Sequence, residues 1–402
     1  MINKIKEKAF VLFMAIAPIF YLTNSGDLRD AQAKFYQLGA IALISCFIEN
    51  IWLTMFMLLN LFLLLSTGVE TGINQVLNVF IGCLLFTVSK NYFKNKSFMD
   101  FSKVILWICF FNISWMMLQV LNIDPLYVGQ MANGTPLIGQ VFNDPLGLFG
   151  IKMANGIFLS IASMVMAVLN QYIGMLIIIP ILMSHASTAV LAWIVSMLFF
   201  TWHIKRRLFI ILSIIGVLGI GTYIVLDQKD DPNTFKSRFG MWHMVTRYSI
   251  INPIGFGPDS FRNLNEKKKF MFVSDNHYNP AIMVFNQANS EADVQYYDPK
   301  RGITNEPWKG NQNEINVWDN AHNEYLQLFF EYGIIGVLLL IGLFRDMIIR
   351  FNRCDKTNEL IMLTSILLVY FVSSISHFPL HLARLGCLFP IFLGVWYART
   401  EN

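Results

Sequence analysis

Apolar residues run along the chain in blocks long enough to cross about 30 Å of hydrocarbon at about 1.5 Å per residue, without the two-residue alternation of barrel strands. The blocks predict helical spans over 9–23, 35–48, 51–66, 72–88, 103–122, 151–169, 172–184, 186–202, 208–226, 324–343, 358–376 and 380–398. Several fall short of the usual ~20 residues, especially within 35–66 and 151–202, so the count is about twelve. The fold class that follows is an all-α polytopic membrane protein of about 12 transmembrane helices.

One long polar stretch interrupts this rhythm. It divides the chain into an N-terminal bundle over 1–226 with about nine spans, a large loop over 227–321, and C-terminal helices over 322–402 with about three spans. The loop carries Trp242, Phe256, Phe261, Phe270, Phe272, Tyr278, Phe285, Tyr296 and Tyr297, an aromatic content that disordered segments lack. Within it, Phe235, Phe239, Trp242 and Val245 or Thr246 recur at helical spacing, which predicts an amphipathic helix over 235–251. Asn252-Pro-Ile-Gly-Phe-Gly-Pro258 then ends that helix in a tight turn.

Composition supports the membrane class. Of 402 residues, 55% are hydrophobic and 14% charged, well below the quarter of charged residues common in soluble domains. Mean hydropathy is +0.50. Lys4, Lys6 and Lys8, then Lys90, Lys94, Lys96 and Lys103, then Lys205, Arg206 and Arg207, then Arg345, Arg350, Arg353 and Lys356 all fall on one side of the span count. The positive-inside rule makes that side cytoplasmic, with both termini there. Segment 123–150, which has no Lys or Arg, and the loop 227–321 then lie on the outer face. The first block has no small-residue cleavage site after it and reads as a span, not a signal peptide. Cys46, Cys83, Cys109, Cys354 and Cys387 avoid the large loop and imply neither disulfides nor zinc. A net charge of +4 is accounted for by topology, and no nucleic-acid partner is indicated.

Candidate chemistry gathers where the loop enters the tenth block, in Trp318-Asp-Asn-Ala-His-Asn-Glu324. His322 is placed in the first turn of a helix with Asp319 or Asn320 as N-cap, where unpaired N–H groups bind anions and favour a neutral imidazole. Taken alone, such a histidine more commonly caps or hydrogen-bonds a loop. Glu324 sits beside it, and Glu331 lies about 13 Å further along a continuous helix. Arg238 and Arg247, with Arg262 the weakest of the three, offer guanidinium forks suited to pyrophosphate, although surface arginines are mostly solvated. His377, His381 and Arg384 cluster at the turn between the last two spans, where they could face the same cavity as His322; headgroup anchoring is equally apt. Gly333 and Gly336 read as points of close helix approach. Asp319, His322 and Glu324 lack a recognised metal-ligand spacing, and no Walker loop, dinucleotide fingerprint or nucleophile elbow occurs.

Ala321-His-Asn-Glu-Tyr-Leu-Gln-Leu-Phe-Phe-Glu-Tyr-Gly-Ile-Ile-Gly336 resembles the signature of the O-antigen ligase and polymerase superfamily. Ser237-Arg238 with Trp242, the Asn252-Pro-Ile-Gly-Phe-Gly turn, Phe261 and the His377-Phe-Pro-Leu-His-Leu-Ala stretch are similar to it in the same order. These motifs cover roughly the C-terminal half of the chain; the N-terminal half is similar only in hydropathy. The resemblance implies a bacterial inner-membrane glycosyltransferase that takes a glycan from undecaprenyl pyrophosphate at the periplasmic face without ATP or, in the ligase branch, a metal. His322 would match the family's essential histidine and Arg238 its loop arginine. Where the family often has Ser-x-Ser-Arg, this chain has Ser184-His-Ala-Ser187-Thr188, so Arg247, Arg384 or His185 must stand in for the arginine, or the donor chemistry differs.

The implied reaction set is O-antigen ligation to lipid A-core, polysaccharide polymerisation, or oligosaccharide transfer to protein, with a glycolipid, glycan or protein acceptor. No cofactor is called for. The rival class is a transporter or flippase of lipid-linked sugars, which calls for charges mid-span in several helices and an inverted repeat; neither is evident. The candidate site comprises His322 and Glu324 as catalytic groups and Arg238, Arg247, Trp242, Ser187, His381 and Arg384 as donor-binding groups.

Overall fold

A computed structural model describes residues 72–121, 123, 145–149, 152–204, 232–258, 260–261, 270–274, 280–285, 292–298, 302–307, 316–317, 321–377, 379–380 and 383–401, together with Trp52, Met55, Phe56 and Leu59. The spans expected at 9–23, 35–48 and 208–226 lie outside the described residues, as does nearly all of 51–66. The remaining blocks are helical: α1 (Gly72–Phe93), α2 (Met99–Val120), α3 (Lys152–Leu169), α4 (Gln171–Leu176), α5 (Ile178–Met183), α6 (Ser187–Ile204), α7 (Pro232–Ile251), α8 (Glu324–Arg353), α9 (Asn358–Ser373), α10 (Ala383–Gly386) and α11 (Leu388–Thr400). Four of these, Phe101–Val120 within α2, α3, α6 and α8, are long and apolar enough to cross a membrane. The block expected over 172–184 is two short helices instead of one.

The core is built on α3, whose residues from Met153 to Val165 are buried without interruption. Small residues let its neighbours close in: Gly156 faces Ala186 and Ala189, and Gly174 faces Ala167. Ser163 is paired on both sides inside this packing. Ser163 Oγ donates to Gly174 O at 2.7 Å and accepts from Trp193 Nε1 at 2.7 Å.

The helix ends gather at two levels. At one, Lys90 pairs with Glu401 at 2.6 Å, Arg399 with Glu359 at 3.0 Å, and the Phe98 N–H donates to Glu359 at 3.1 Å. At the other, the Glu324 N–H donates to Ser374 O at 3.0 Å, and the Thr188 and Ser376 hydroxyls bond at 2.7 Å. The basic residues around Lys90 and Arg353 thus share one end of the bundle, as the charge pattern requires, and the His322 region occupies the opposite end.

The all-α expectation leaves out one element. The loop contains a five-stranded antiparallel sheet, β1 (Phe270–Ser274), β2 (Pro280–Phe285), β3 (Ala292–Asp298), β4 (Gly302–Pro307) and β5 (Asn316–Val317), in the order β4-β3-β2-β1-β5. Phe270 pairs with Val284, Ala281 with Tyr296 and Asp293 with Pro307. β2 lies alongside α7.

α8 is the element that positions the site. Gly333 interrupts it with φ 63° and ψ −161°. A straight 30-residue helix would run about 45 Å, whereas the 16 residues of α9, which connect the same two levels, run about 24 Å. The break resolves the difference: residues 334–353 account for about 30 Å, and 324–332 turn aside at the far level. Glu331 precedes the break, so it lies on the 324–332 segment with Glu324 and not on the 334–353 segment. The turn 252–257 fits into the break. Ile334 N–H donates to Pro253 O at 2.8 Å, Phe256 N–H to Phe330 O at 2.9 Å, and Gly257 N–H to Glu331 O at 2.9 Å. Gly255 and Gly257 have φ of 95° and 100°, and a Cβ on Gly333 would collide with the Pro253 carbonyl. The glycine of the signature admits a turn, not a neighbouring helix.

Gly333→Ala should lower stability by at least the ~1–3 kcal/mol that a strained non-glycine backbone costs, plus the collision. Gly82→Ala, whose new methyl would meet only Pro390 Cγ at 3.9 Å, should be neutral or stabilising. Thermal unfolding in detergent followed by size-exclusion fluorescence separates the two; equal melting temperatures would remove the break from this account.

Candidate functional site

His322 lies outside the first turn of α8. The N-cap is Asn323, with φ −158° and a side-chain oxygen that accepts from Leu326 N–H at 3.0 Å; neither Asp319 nor Asn320 caps the helix, and both lie outside the described residues. His322 precedes the cap in the left-handed region at φ 49°. Among the described residues only His185 shares that conformation without being glycine, also at 49° and also two residues ahead of a helix, α6. An L-residue is held there only when its surroundings over-determine it.

Those surroundings are visible at Ala321, which is fully buried. Its carbonyl accepts from Trp242 Nε1 at 2.9 Å, and its N–H donates to Gln327 Oε1 at 3.3 Å. Gln327 Nε2 in turn donates to Glu331 Oε1 at 3.1 Å. Trp242 thereby ties α7 to the histidine loop, and the buried Glu331 orients the amide that holds it. Met241, Met244, Val245, Phe261, Ala321 and Phe330 close the joint as an apolar cluster, with Phe256 stacked on Phe330 at 4.5 Å.

This packing sets the phase of α7. The inner face carries Met241, Met244, Val245 and Ser249, with Arg238 and Trp242 at its margin. Phe239, expected on the apolar face, is exposed. Arg238 and Arg247 are nine residues apart and so project about 180° from one another. Arg238 faces the histidines, and Arg247 faces out.

His377 is the residue that sequence spacing underweighted. It follows α9 in a turn, is buried, and meets the His322 ring edge-on at 5.5 Å between centroids. Burial above all, then the nearby His322 and Arg238, push its pKa from 6.5 down to about 3. Arg238 is thus close enough to the His377 ring to act on its charge. Glu324 is buried and its Oε1 accepts from Leu380 N–H at 2.8 Å, so it holds the turn that carries His377. Ser187 is half-buried at the first position of α6; its neighbour Thr188 bonds Ser376, bringing the 184–188 segment beside His377. Arg384 falls in α10 with its side chain outside the described residues, and His381 lies outside them altogether. Among the described residues no cluster of three His, Cys, Asp or Glu side chains stands close enough to hold a metal.

The site therefore unites three chain segments at one end of the bundle: an arginine from α7, a left-handed histidine at the mouth of α8, and a neutral histidine after α9. The α8 N-terminus adds a positive dipole end. Such a set has the chemistry to hold an anion beside an unprotonated imidazole.

Because the folded pKa of His377 is depressed, the unfolded chain binds more protons between about pH 3 and 6.5, and stability falls as pH drops through that window. Melting temperature should decline from pH 7 to pH 5, and His377→Gln should flatten the decline; an unchanged slope in the variant would show that His377 does not titrate this way. No protein-family model matches the chain and no curated protein matches it, so the functional assignment rests on these residues and their geometry.

Proposed function

We propose that the protein transfers a glycan from undecaprenyl pyrophosphate to an acceptor hydroxyl at the periplasmic face of a bacterial inner membrane, with O-antigen ligation to lipid A-core as the leading reaction. The observation that carries this reading is the convergence of Arg238, His322 and His377 at the end of a bundle of membrane-grade helices. The donor's chemistry matches that place, since its tail is hydrocarbon and its pyrophosphate is an anion.

Arg238 and the α8 N-terminus hold the pyrophosphate, where charge accumulates as the bond breaks. The acceptor oxygen attacks the anomeric carbon of the glycan. The bond between that carbon and the pyrophosphate oxygen breaks, its electron pair leaving with undecaprenyl pyrophosphate. The acceptor's proton passes to the His322 imidazole, which serves as general base. His377 stays neutral beside it, and Glu324 keeps the His377 turn in place. Trp242 and Gln327 fix the backbone ahead of His322, so they position the base without touching substrate.

A lipid A-core sugar, a growing glycan chain and a protein hydroxyl all fit this chemistry as acceptors. Deleting the gene in its host distinguishes them by the product that changes: unligated O-antigen, single-repeat chains or unglycosylated protein.

Purified protein supplied with lipid-pyrophosphate glycan and acceptor should release undecaprenyl pyrophosphate. His322→Ala should abolish release while leaving the melting temperature in place. Arg238→Ala should cut turnover on the order of 10²-fold. Full activity of a folded His322→Ala variant would remove the histidine from the reaction, and lipid movement without release would assign the protein to transport.

A further inference from the structure

We propose that the C-terminal end of α7 and the turn after it are immersed in the bilayer leaflet at the His322 end of the bundle, where lipid acyl chains cover Ile250, Ile251 and Ile254. These side chains are 65%, 68% and 58% exposed. Arg247, Ile250 and Ile251 fall at i, i+3 and i+4 on α7, and Ile254 follows in the turn just after it. Met241, Met244 and Val245, in the preceding turns of the same helix, are buried against the protein, so α7 already has its core contact where Ile250 and Ile251 remain exposed.

The occupant follows from what these isoleucines join. The Ile334 N–H donates to Pro253 O at 2.8 Å, which seats Ile254 beside the upper end of the 334–353 segment of α8. That segment shows Ile334, Ile335, Leu338 and Ile341 outward from a helix of membrane-grade hydropathy, and lipid is what covers such a face. Ile254, in the turn after α7, meets this lipid-facing surface across that backbone hydrogen bond, and Ile250 and Ile251 at the end of α7 extend it. Arg247, exposed one turn before Ile250 and Ile251, then stands at the level of the headgroup phosphates, with its aliphatic stem along the apolar stripe. A segment that composition assigns to a water-exposed loop is thus a monotopic anchor, and it holds Arg238 at headgroup height. The inference stands without the transfer reaction.

Spin labels on Ile251→Cys and Ile254→Cys, in protein reconstituted into liposomes, test it by collision with oxygen, which concentrates in hydrocarbon, and with a water-soluble nickel chelate. Leu338→Cys gives the lipid reference and exposed Asp355→Cys the aqueous one; unmutated protein gives the background from native cysteines, of which Cys83, Cys109 and Cys387 are buried. Both test sites should match Leu338, with high oxygen and low nickel accessibility. Accessibility matching Asp355 would overturn the proposal, and so would shielding from both reagents, which would mean that protein covers the stripe.

Discussion

Three backbone hydrogen bonds at Gly333 hold the architecture together. In an unbroken α8 the Ile334 N–H would bond to the Phe330 carbonyl. The break frees both groups, and the turn after α7 takes them up: Pro253 O accepts from Ile334, and the Phe330 and Glu331 carbonyls accept from Phe256 and Gly257. Peptide groups left open among apolar side chains would each cost several kcal/mol, so break and turn require one another.

From that joint the rest of the site follows. Docking the turn fixes where α7 ends, and the methionine face of α7 then fixes its rotation. Rotation aims Arg238 inward and places Trp242 under the Ala321 carbonyl. Ala321, held on both its polar groups, imposes the left-handed backbone on His322. On the other flank, Glu324 reaches across to Leu380 and secures the turn that bears His377. The chemistry-bearing side chains are thus placed by backbone ties between segments remote in sequence, not by a single rigid helix.

The sequence shows the helices well because lipid demands long apolar runs whose lengths can be counted. It also shows the His322 junction and the glycine turn, since polar groups beside an apolar run and a Pro-Gly pair are local signals. The phase of α7 was not legible. A periodicity search centred on Phe235 and Phe239 assumes that the apolar side is the inner side, but an interfacial helix is apolar on two faces, with methionine toward the protein and isoleucine away from it. Gly333 misleads in the same manner, because spacing cannot distinguish a glycine that admits a helix from one that leaves helical geometry. The sheet was signalled by short runs such as Phe270-Met-Phe-Val and Ala281-Ile-Met-Val-Phe285 between turn-forming residues, which the aromatic content of the loop overshadowed. The nearness of His377 to His322, 55 positions away, is a tertiary fact that the sequence suggests only by placing both histidines at outer span ends.

The electrostatics of the histidine pair bear on how the proposed reaction is gated. Without donor, Arg238 and His322 oppose a proton on His377, and burial opposes it more strongly. A pyrophosphate bound between Arg238 and the α8 N-terminus reverses the sign of the local field, since its negative charge neutralises the guanidinium and stabilises any cation nearby. Imidazolium becomes affordable only once the anion is present. The proton taken from the acceptor then has a place to reside during the step in which the leaving group is still bound, and less reason to stay after undecaprenyl pyrophosphate departs. In the proposed reaction, departure of the product would return His377 to its neutral form, so the charge that the site binds would also govern the proton beside it.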